Sequence, residues 1–327
     1  MKTLILNRKE IIKLVDVRQA IRSVEEAFRE CARHKTQMPA KVYLDLAKYK
    51  GDFRAMPAYV AKSNACVLKW VNVHRDNPKK GLPTVMAVMI LSDPKTGFPL
   101  AIMDGTYATG LRTAAAGAVA AKYLANKDSC CVGLLGCGVQ ARMQLTALRT
   151  MFKIKQVNVW GHKSAIVRNF LDDMQNKNEG MRGVTKPEEC VGGADILVTT
   201  TPSRKPLVKR GWLKQGVHIN AIGADAPGKQ ELDLDILKHA RIIIDDWEQS
   251  SHGGEINVAV RRKIISKRNI CANIGEIVLG IKNGRLKKKD ITVFDSTGLA
   301  IQDAAVANLL YKVAVRKRAG KKVSLVL

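Results

Sequence analysis

A short apolar run, Cys131-Val132-Gly133-Leu134-Leu135, ends in Gly136-Cys137-Gly138-Val139-Gln140-Ala141, and few architectures accept residues in that order. The run predicts a buried strand, the glycines a tight turn, and the residues beyond them the start of a helix. Gly136 permits the turn. Gly138 lacks a Cβ, so the backbone there can approach a pyrophosphate, and Ala141 is small enough for the helix to pack on the strand. The helix start adds unpaired N–H groups and a partial positive charge. Ordinary glycine turns in α/β cores share this pattern, so the surroundings decide. Strand candidates recur at Cys130–Leu135, Gln156–Trp160, Asp195–Thr200, His218–Gly223 and Arg241–Asp245, with helical stretches between several of them. That alternation implies a parallel sheet with crossover helices. The expectation is a Rossmann-type dinucleotide-binding domain with Gly136, Gly138, Val139 and Gln140 at the phosphates.

The end of the second strand bears on which dinucleotide. In NAD sites an acid usually closes it, about 20 residues beyond the glycines, and takes the ribose hydroxyls. Here the strand ends Val159-Trp160-Gly161-His162-Lys163, without an acid. Gly161 gives backbone access, and His162 and Lys163 offer donors to a 2′-phosphate. The expected cofactor is NADP or NAD, with NADP slightly preferred; Lys163 alternatively caps a solvated helix start.

The amino-terminal part reads differently. Asp16 is a predicted N-cap, followed by an amphipathic helix with Val17, Ala20, Ile21, Val24, Ala27, Phe28 and Cys31 on one face. From Lys41 to Leu100 short β segments alternate with turns. Examples are 42–46, 66–72 and 84–91, which suggest an antiparallel or mixed sheet. An alanine-rich helix is expected over Thr113–Asn126. At the other end, a strand Ile291–Asp295 leads into a closing helix, Ile301–Arg316. Its apolar face of Ala304, Ala305, Leu309 and Val313 suits packing back on the amino-terminal sheet. The fold class is therefore α/β: a Rossmann-type parallel sheet domain over 116–303 plus an α+β domain built from 1–115 with 304–327.

The 55 Lys and Arg outnumber the 29 Asp and Glu, giving a formal charge of +26. This would suit nucleic acid, but the basic residues are scattered and no aromatics interleave with the denser runs Lys287-Lys288-Lys289 and Arg316-Lys317-Arg318. A solvated basic surface, and no specific nucleic-acid partner, is the expectation. No apolar run approaches the ~20 residues that span a bilayer. The seven cysteines are odd in number and unpaired in spacing, and the first residues do not resemble a signal peptide. Free thiols in a reducing, cytoplasmic setting are expected.

Four ionisable residues stand out. Lys69 lies inside an apolar strand, where a solvent-facing lysine and a desolvated one of lowered pKa are both open. Asp225 follows the strand candidate His218–Gly223, at a carboxyl end of the parallel sheet where such folds bind ligands. Arg54 and Arg112 are candidate clamps for a carboxylate or phosphate. His74, His218 and His252 lack metal-ligand spacing, so no metal is expected. Ser129, Ser203 and Ser296 lack a nucleophile elbow.

Taken together, several stretches resemble the ornithine cyclodeaminase/μ-crystallin family over nearly the whole chain, most like its archaeal alanine dehydrogenase branch. They are Gly51–Pro57, Leu68–Asn72, Gly81–Thr84, Leu111–Ala115, Gly136–Ala141, Thr199–Pro202, Asn220–Asp225, Gly228–Asp233 and Phe294–Gly298. The resemblance implies a homodimer in which sheets of the substrate-binding domains pair. It implies a carboxylate clamp at Arg54, a substrate-contacting lysine and proton carrier at Lys69, and a catalytic acid at Asp225 as partner to that lysine. Cofactor contacts would fall on Thr84, Arg112, Thr113, Gly136, Gly138, Val139, Gln140, Gly161, His162, Lys163, Thr200, Thr201, Gly223, Ala224, Lys229 and Ser296. The missing acid after Trp160 departs from many NAD-using relatives. The implied activity is NAD(P)-dependent oxidative deamination of a small L-amino acid, L-alanine foremost, the partner being that amino acid or its 2-oxo acid. Ornithine cyclodeaminase, ketimine reductase and a non-catalytic cofactor-binding, crystallin-like protein are the alternatives.

Overall fold

The computed structural model describes residues 1–176 and 180–326, so residues 177–179 and Leu327 of the expected domain ranges lie outside the described residues. Two compact units result, Met1–Thr113 with Leu299–Leu327, and Ala114–Gly298. The first opens with β1 (Thr3–Leu6), α1 (Arg8–Leu14), α2 (Val17–Ala32), β2 (Thr36–Gln37), β3 (Val42–Leu46), β4 (Gly51–Val60), β5 (Ala65–His74), β6 (Val85–Ser92) and β7 (Pro99–Asp104). Helix α3 (Gly105–Leu124) leads into β8 (Cys131–Leu135), α4 (Val139–Arg149), β9 (Gln156–Trp160), α5 (Ser164–Met174), β10 (Gly180–Gly183), α6 (Pro187–Val191) and β11 (Ile196–Thr199). There follow β12 (His218–Ala221), α7 (Leu234–His239), β13 (Arg241–Ile244), α8 (Trp247–Gly253), α9 (Asn257–Arg261), β14 (Ile270–Asn273), α10 (Ile274–Val278) and β15 (Thr292–Asp295). The chain then returns to the first unit with α11 (Ala300–Lys317) and β16 (Lys321–Val323).

In the first unit the sheet runs β16-β1-β7-β6-β5-β4-β2, with β3 also beside β4. It is mixed, as expected: β1 pairs parallel with β7, whereas β4, β5, β6 and β7 are antiparallel neighbours. Strict alternation along β5 fixes its faces. Val67, Lys69 and Val71 are buried, while Leu68 and Trp70 on the other face are exposed. Helix α11 packs on β4, β5 and α2, with Ala304, Ala307, Leu310 and Ala314 buried, so the closing helix does return to this sheet. The predicted cap of α2 forms a capping box, in which Asp16 Oδ1 accepts from Gln19 N at 2.8 Å and Gln19 Oε1 accepts from Asp16 N at 3.1 Å.

The second unit holds a parallel sheet in the order β10-β9-β8-β11-β12-β15-β13-β14. Strand order reverses between β8 and β11, which is where open α/β sheets present a ligand crevice. The register lines up the carboxyl ends. Leu135 sits opposite Trp160 and Thr199, Thr199 opposite Ala221, Ala221 opposite Asp295, and Asp295 opposite Ile244. Residues that follow those positions therefore share one edge. One face buries Val132, Leu134, Val157 and Val159 against Ala141, Leu145 and Leu148 of α4. The other buries Leu135, Leu197, Ile219, Ile242 and Val293. Each such aliphatic side chain contributes about 1.5–3 kcal/mol by leaving water.

Helix α3 starts at Gly105, eight residues before the expected Thr113. Gly105, Thr106 and Gly110 are poor helix formers, but Ala108, Leu111 and Ala114 bury a full stripe and decide the matter. No helix among the described residues is long and apolar enough to cross a membrane.

Candidate active site

The glycine turn after β8 adopts the conformation its residues predict. Gly136 has φ +112°, a region closed to side chains, and a Cβ there would run into Thr200 Oγ1. Gly138 is the N-cap of α4 and carries no side-chain capping bond, while a Cβ on it would meet nothing within 4 Å. The first N–H groups of α4 therefore face open space beside Val139, which is 62% exposed. Gln140 Oε1 and Ser296 Oγ are buried without a hydrogen-bond partner among the described residues. Open backbone donors, a helix N-terminus and two unsatisfied polar atoms along one sheet edge fit an anionic dinucleotide.

The other expected cofactor residues of this unit follow the same strand ends. Thr200 donates from N and Oγ1 to Leu135 O at 2.9 and 3.1 Å, and Ser296 N donates to Ala221 O at 3.0 Å. Thr201 N and Gly223 N both donate to the Glu231 carboxylate, at 2.6 and 3.1 Å. Ala224 is buried beside Gly223. Asp225 is ion-paired with Lys229. After β9, Gly161 is half-buried, and His162 and Lys163 are exposed. The His162 ring stands edge-on to Trp160 at 4.8 Å, and Lys163 is the N-cap residue of α5 without a side-chain capping bond.

A second cluster belongs to the first unit. Lys69 is 1% exposed, which settles the alternative left open by the sequence in favour of the desolvated lysine. Its Nζ lies 2.8 Å from Asp303 Oδ2, and Arg112 Nε donates to Asp303 Oδ1 at 3.0 Å. Arg112 Nη1 also donates to Gln302 Oε1 at 2.9 Å. Burial and the neighbouring Arg112 charge push the Lys69 pKa down to about 7, against the pull of Asp303. The lysine thus exchanges its proton near neutrality. Its ion-pair partner is Asp303: a fully buried ammonium takes the carboxylate packed against it, and α11 supplies that from its first turn.

The sequence reading missed Asp303 and Gln302. The signal was present: Ala300, Asp303, Ala307 and Leu310 fall on one helical stripe, and an acid inside an apolar stripe demands a buried cation. Arg54 is buried, with Asp52 Oδ1 at 2.8 Å from its Nε and its guanidinium over the Tyr43 ring at 5.3 Å. Thr84 is half-buried just before β6, with its carbonyl accepting from His74 N. Thr113 is buried in α3, donating from Oγ1 to Thr109 O at 2.8 Å.

Elsewhere, the Cys130 and Cys131 sulfurs lie 3.9 Å apart and come within 4.8 Å of Asp195. Both oxygens of that carboxylate are engaged, by the N–H groups of Cys130 and Cys131 and by Lys214 Nζ. His218 is buried between Thr292 Oγ1 and Asn220 Oδ1, and desolvation pushes its pKa down to about 3, so it stays neutral and structural.

A model of the ornithine cyclodeaminase/mu-crystallin family matches residues 1–318. An alanine dehydrogenase from Archaeoglobus fulgidus is 53% identical over 323 residues, covering 99% of this chain and 98% of its own length. Among solved structures, an archaeal alanine dehydrogenase dimer with bound NAD superposes with a TM-score of 0.95 at 52% identity, covering 99% of this chain and all of that one. The Delta(1)-pyrroline-2-carboxylate reductase of Thermococcus litoralis, in complex with NADH and L-proline, also reaches 0.95, at 37% identity and 98% coverage of this chain and all of that one.

Proposed function

The chain belongs to the ornithine cyclodeaminase/mu-crystallin family, and on that footing we propose that it is an NAD(P)-dependent L-alanine dehydrogenase. The reaction takes L-alanine, water and oxidised cofactor reversibly to pyruvate, ammonia, reduced cofactor and a proton. A bound nicotinamide supplies the hydride acceptor; everything else falls to the protein. The observation that carries the reading is Lys69, a buried amine with a pKa of about 7 held by Asp303. A general base or acid works best when poised near the operating pH, and Lys69 meets that condition for deprotonating the substrate amine and the attacking water. Arg54 holds the substrate carboxylate, and Asp225 is the catalytic acid. Arg112, Thr84 and Thr113 are further cofactor contacts. Gly136, Gly138, Val139 and Gln140 hold its pyrophosphate, and Thr200, Thr201, Gly223, Ala224, Lys229 and Ser296 its nicotinamide half. The first unit serves as the substrate-binding and dimerisation domain.

Likeness to the Archaeoglobus enzyme supports alanine over ornithine. Reduction of a cyclic imine is the second reading, favoured by the likeness to the pyrroline-carboxylate reductase. Exposed His162 and Lys163, with no acid after Trp160, support use of both cofactors with NADP slightly ahead. Homodimer formation through the first unit's sheet is supported by its outer face. There Leu68, Trp70 and Val88 are 37%, 43% and 46% exposed, and Phe53 stacks on Trp70 at 5.1 Å.

One kinetic experiment tests the reading, following cofactor reduction with L-alanine and with L-ornithine, each with NADP and with NAD. Net reduction with alanine is expected, with the higher kcat/KM for NADP. Proline formed from ornithine without net reduction rejects the alanine reading, and a higher kcat/KM for NAD rejects the phosphate-pocket argument.

A further inference from the structure

The chain carries nearly two basic residues for each acidic one, yet three acids at the carboxyl edge of the parallel sheet are buried without a cation. Glu231, Glu255 and Asp295 are 0%, 1% and 0% exposed. Among the described residues, no lysine or arginine forms an ion pair with any of them; nearby Lys229 is paired with Asp225. They are held instead by backbone N–H groups, in a regular series. Asp295 accepts from Glu255 N at 2.9 Å and Ile256 N at 3.2 Å. Glu255 accepts at one oxygen from Glu231 N at 2.8 Å and Leu232 N at 2.7 Å. Glu231 in turn accepts from Thr201 N and Gly223 N, at the ends of β11 and β12. Each carboxylate thus fixes the backbone of the next, and the last one fixes the edge to which we assign the nicotinamide half of the cofactor.

Burial raises all three groups. Glu231 and Asp295 are pushed up to about 7, and Glu255, flanked by the other two, is raised well above the usual carboxylate range. On the alkaline side, Glu231 is an ionised, desolvated carboxylate whose partners are backbone N–H groups and threonine hydroxyls, none of them a cation. Such a charge is costly unless a cation compensates it. The oxidised nicotinamide ring carries one positive charge and the reduced ring none, whereas the rest of the dinucleotide is the same in both.

We propose that Glu231 is the built-in countercharge for the oxidised nicotinamide, so that this site discriminates in favour of the oxidised over the reduced cofactor. The proposal rests on the cofactor assignment made above. It makes Glu231 a positioning and selectivity residue that acts through Thr201, Gly223 and its field, without itself reacting.

The test is equilibrium binding of NAD and NADH, and in parallel NADP and NADPH, to the full-length protein on the alkaline side of neutrality. Wild type is expected to bind the oxidised form at least as tightly as the reduced one. Glu231→Gln should weaken the oxidised form about fivefold and leave the reduced form within about twofold, since only one of them carries the charge. A wild type that binds the reduced form about tenfold tighter overturns the proposal, and this readout needs no variant to fold. So does a Glu231→Gln protein that loses both forms equally, because a purely structural role moves both. Failure of wild type to bind any of the four would instead refute the cofactor assignment itself.

Discussion

Alanine at position 69 is expected to lower kcat by about 1,000-fold while the Kd for the cofactor stays within about threefold of wild type. The separation of the two effects is the informative part. Lys69 belongs to the first unit, and its described ionic partner, Asp303, belongs there too. The donors assigned to the pyrophosphate lie at the start of α4 in the other unit. Removing the amine also removes a buried charge near Arg112, so the variant should fold. Steady-state kinetics with cofactor binding by fluorescence decide the matter. An unchanged kcat takes the lysine out of the mechanism, and parallel loss of binding and turnover makes its role structural.

Asp303→Ala is the second large effect, and here both stability and pH dependence move. The carboxylate is fully buried and pairs with Lys69 at 2.8 Å and Arg112 at 3.0 Å. Deleting it leaves the Arg112 guanidinium and the Lys69 amine without their shared carboxylate away from water, a loss of about 3–5 kcal/mol. Denaturant titration measures that loss directly. The sign of the pH effect follows from the forces on Lys69. Burial and Arg112 lower its pKa, and Asp303 raises it, with a net value of about 7. Without Asp303 the pKa falls further, so the acid limb of kcat/KM, which reports the neutral amine, moves to lower pH. A limb that stays in place or moves to higher pH contradicts the assignment of Lys69 as the titrating base. Asp303→Asn, which keeps the size and one acceptor oxygen, should recover part of the stability but not the pH position.

The glycine turn and the strands around it were legible because their causes are local. Gln156–Trp160 is a continuous run with the β9 limits read from sequence, and Gly136 needs its positive φ whatever lies elsewhere in the chain. Strand β4 was harder. Gly51, Asp52, Arg54 and Pro57 interrupt any apolar alternation, and pairing with β3 and β5 on both sides holds it extended. Edge strand β10, Gly180–Gly183, has almost no apolar content and exists through its ladder to β9. Among the candidate residues, Lys69 could be suspected from an apolar strand, but its burial and its partner could not. Asp303 is 191 residues from Arg112, and only the return of α11 to the first unit brings them together. Glu231 was hidden for a similar reason. It lies within Gly228–Asp233, a stretch that carries the family resemblance, but its own meaning comes from the N–H groups of Thr201 and Gly223 that converge on it.

The most direct measurement of the central claim uses L-alanine deuterated at Cα, with recovery of the reduced cofactor and quantitation of pyruvate. The account predicts one deuteron at C4 of the nicotinamide for each pyruvate formed, with turnover slowed by the isotope. Pyruvate released without deuterium in the cofactor, or deuterium found only in an amino-acid product, would contradict it.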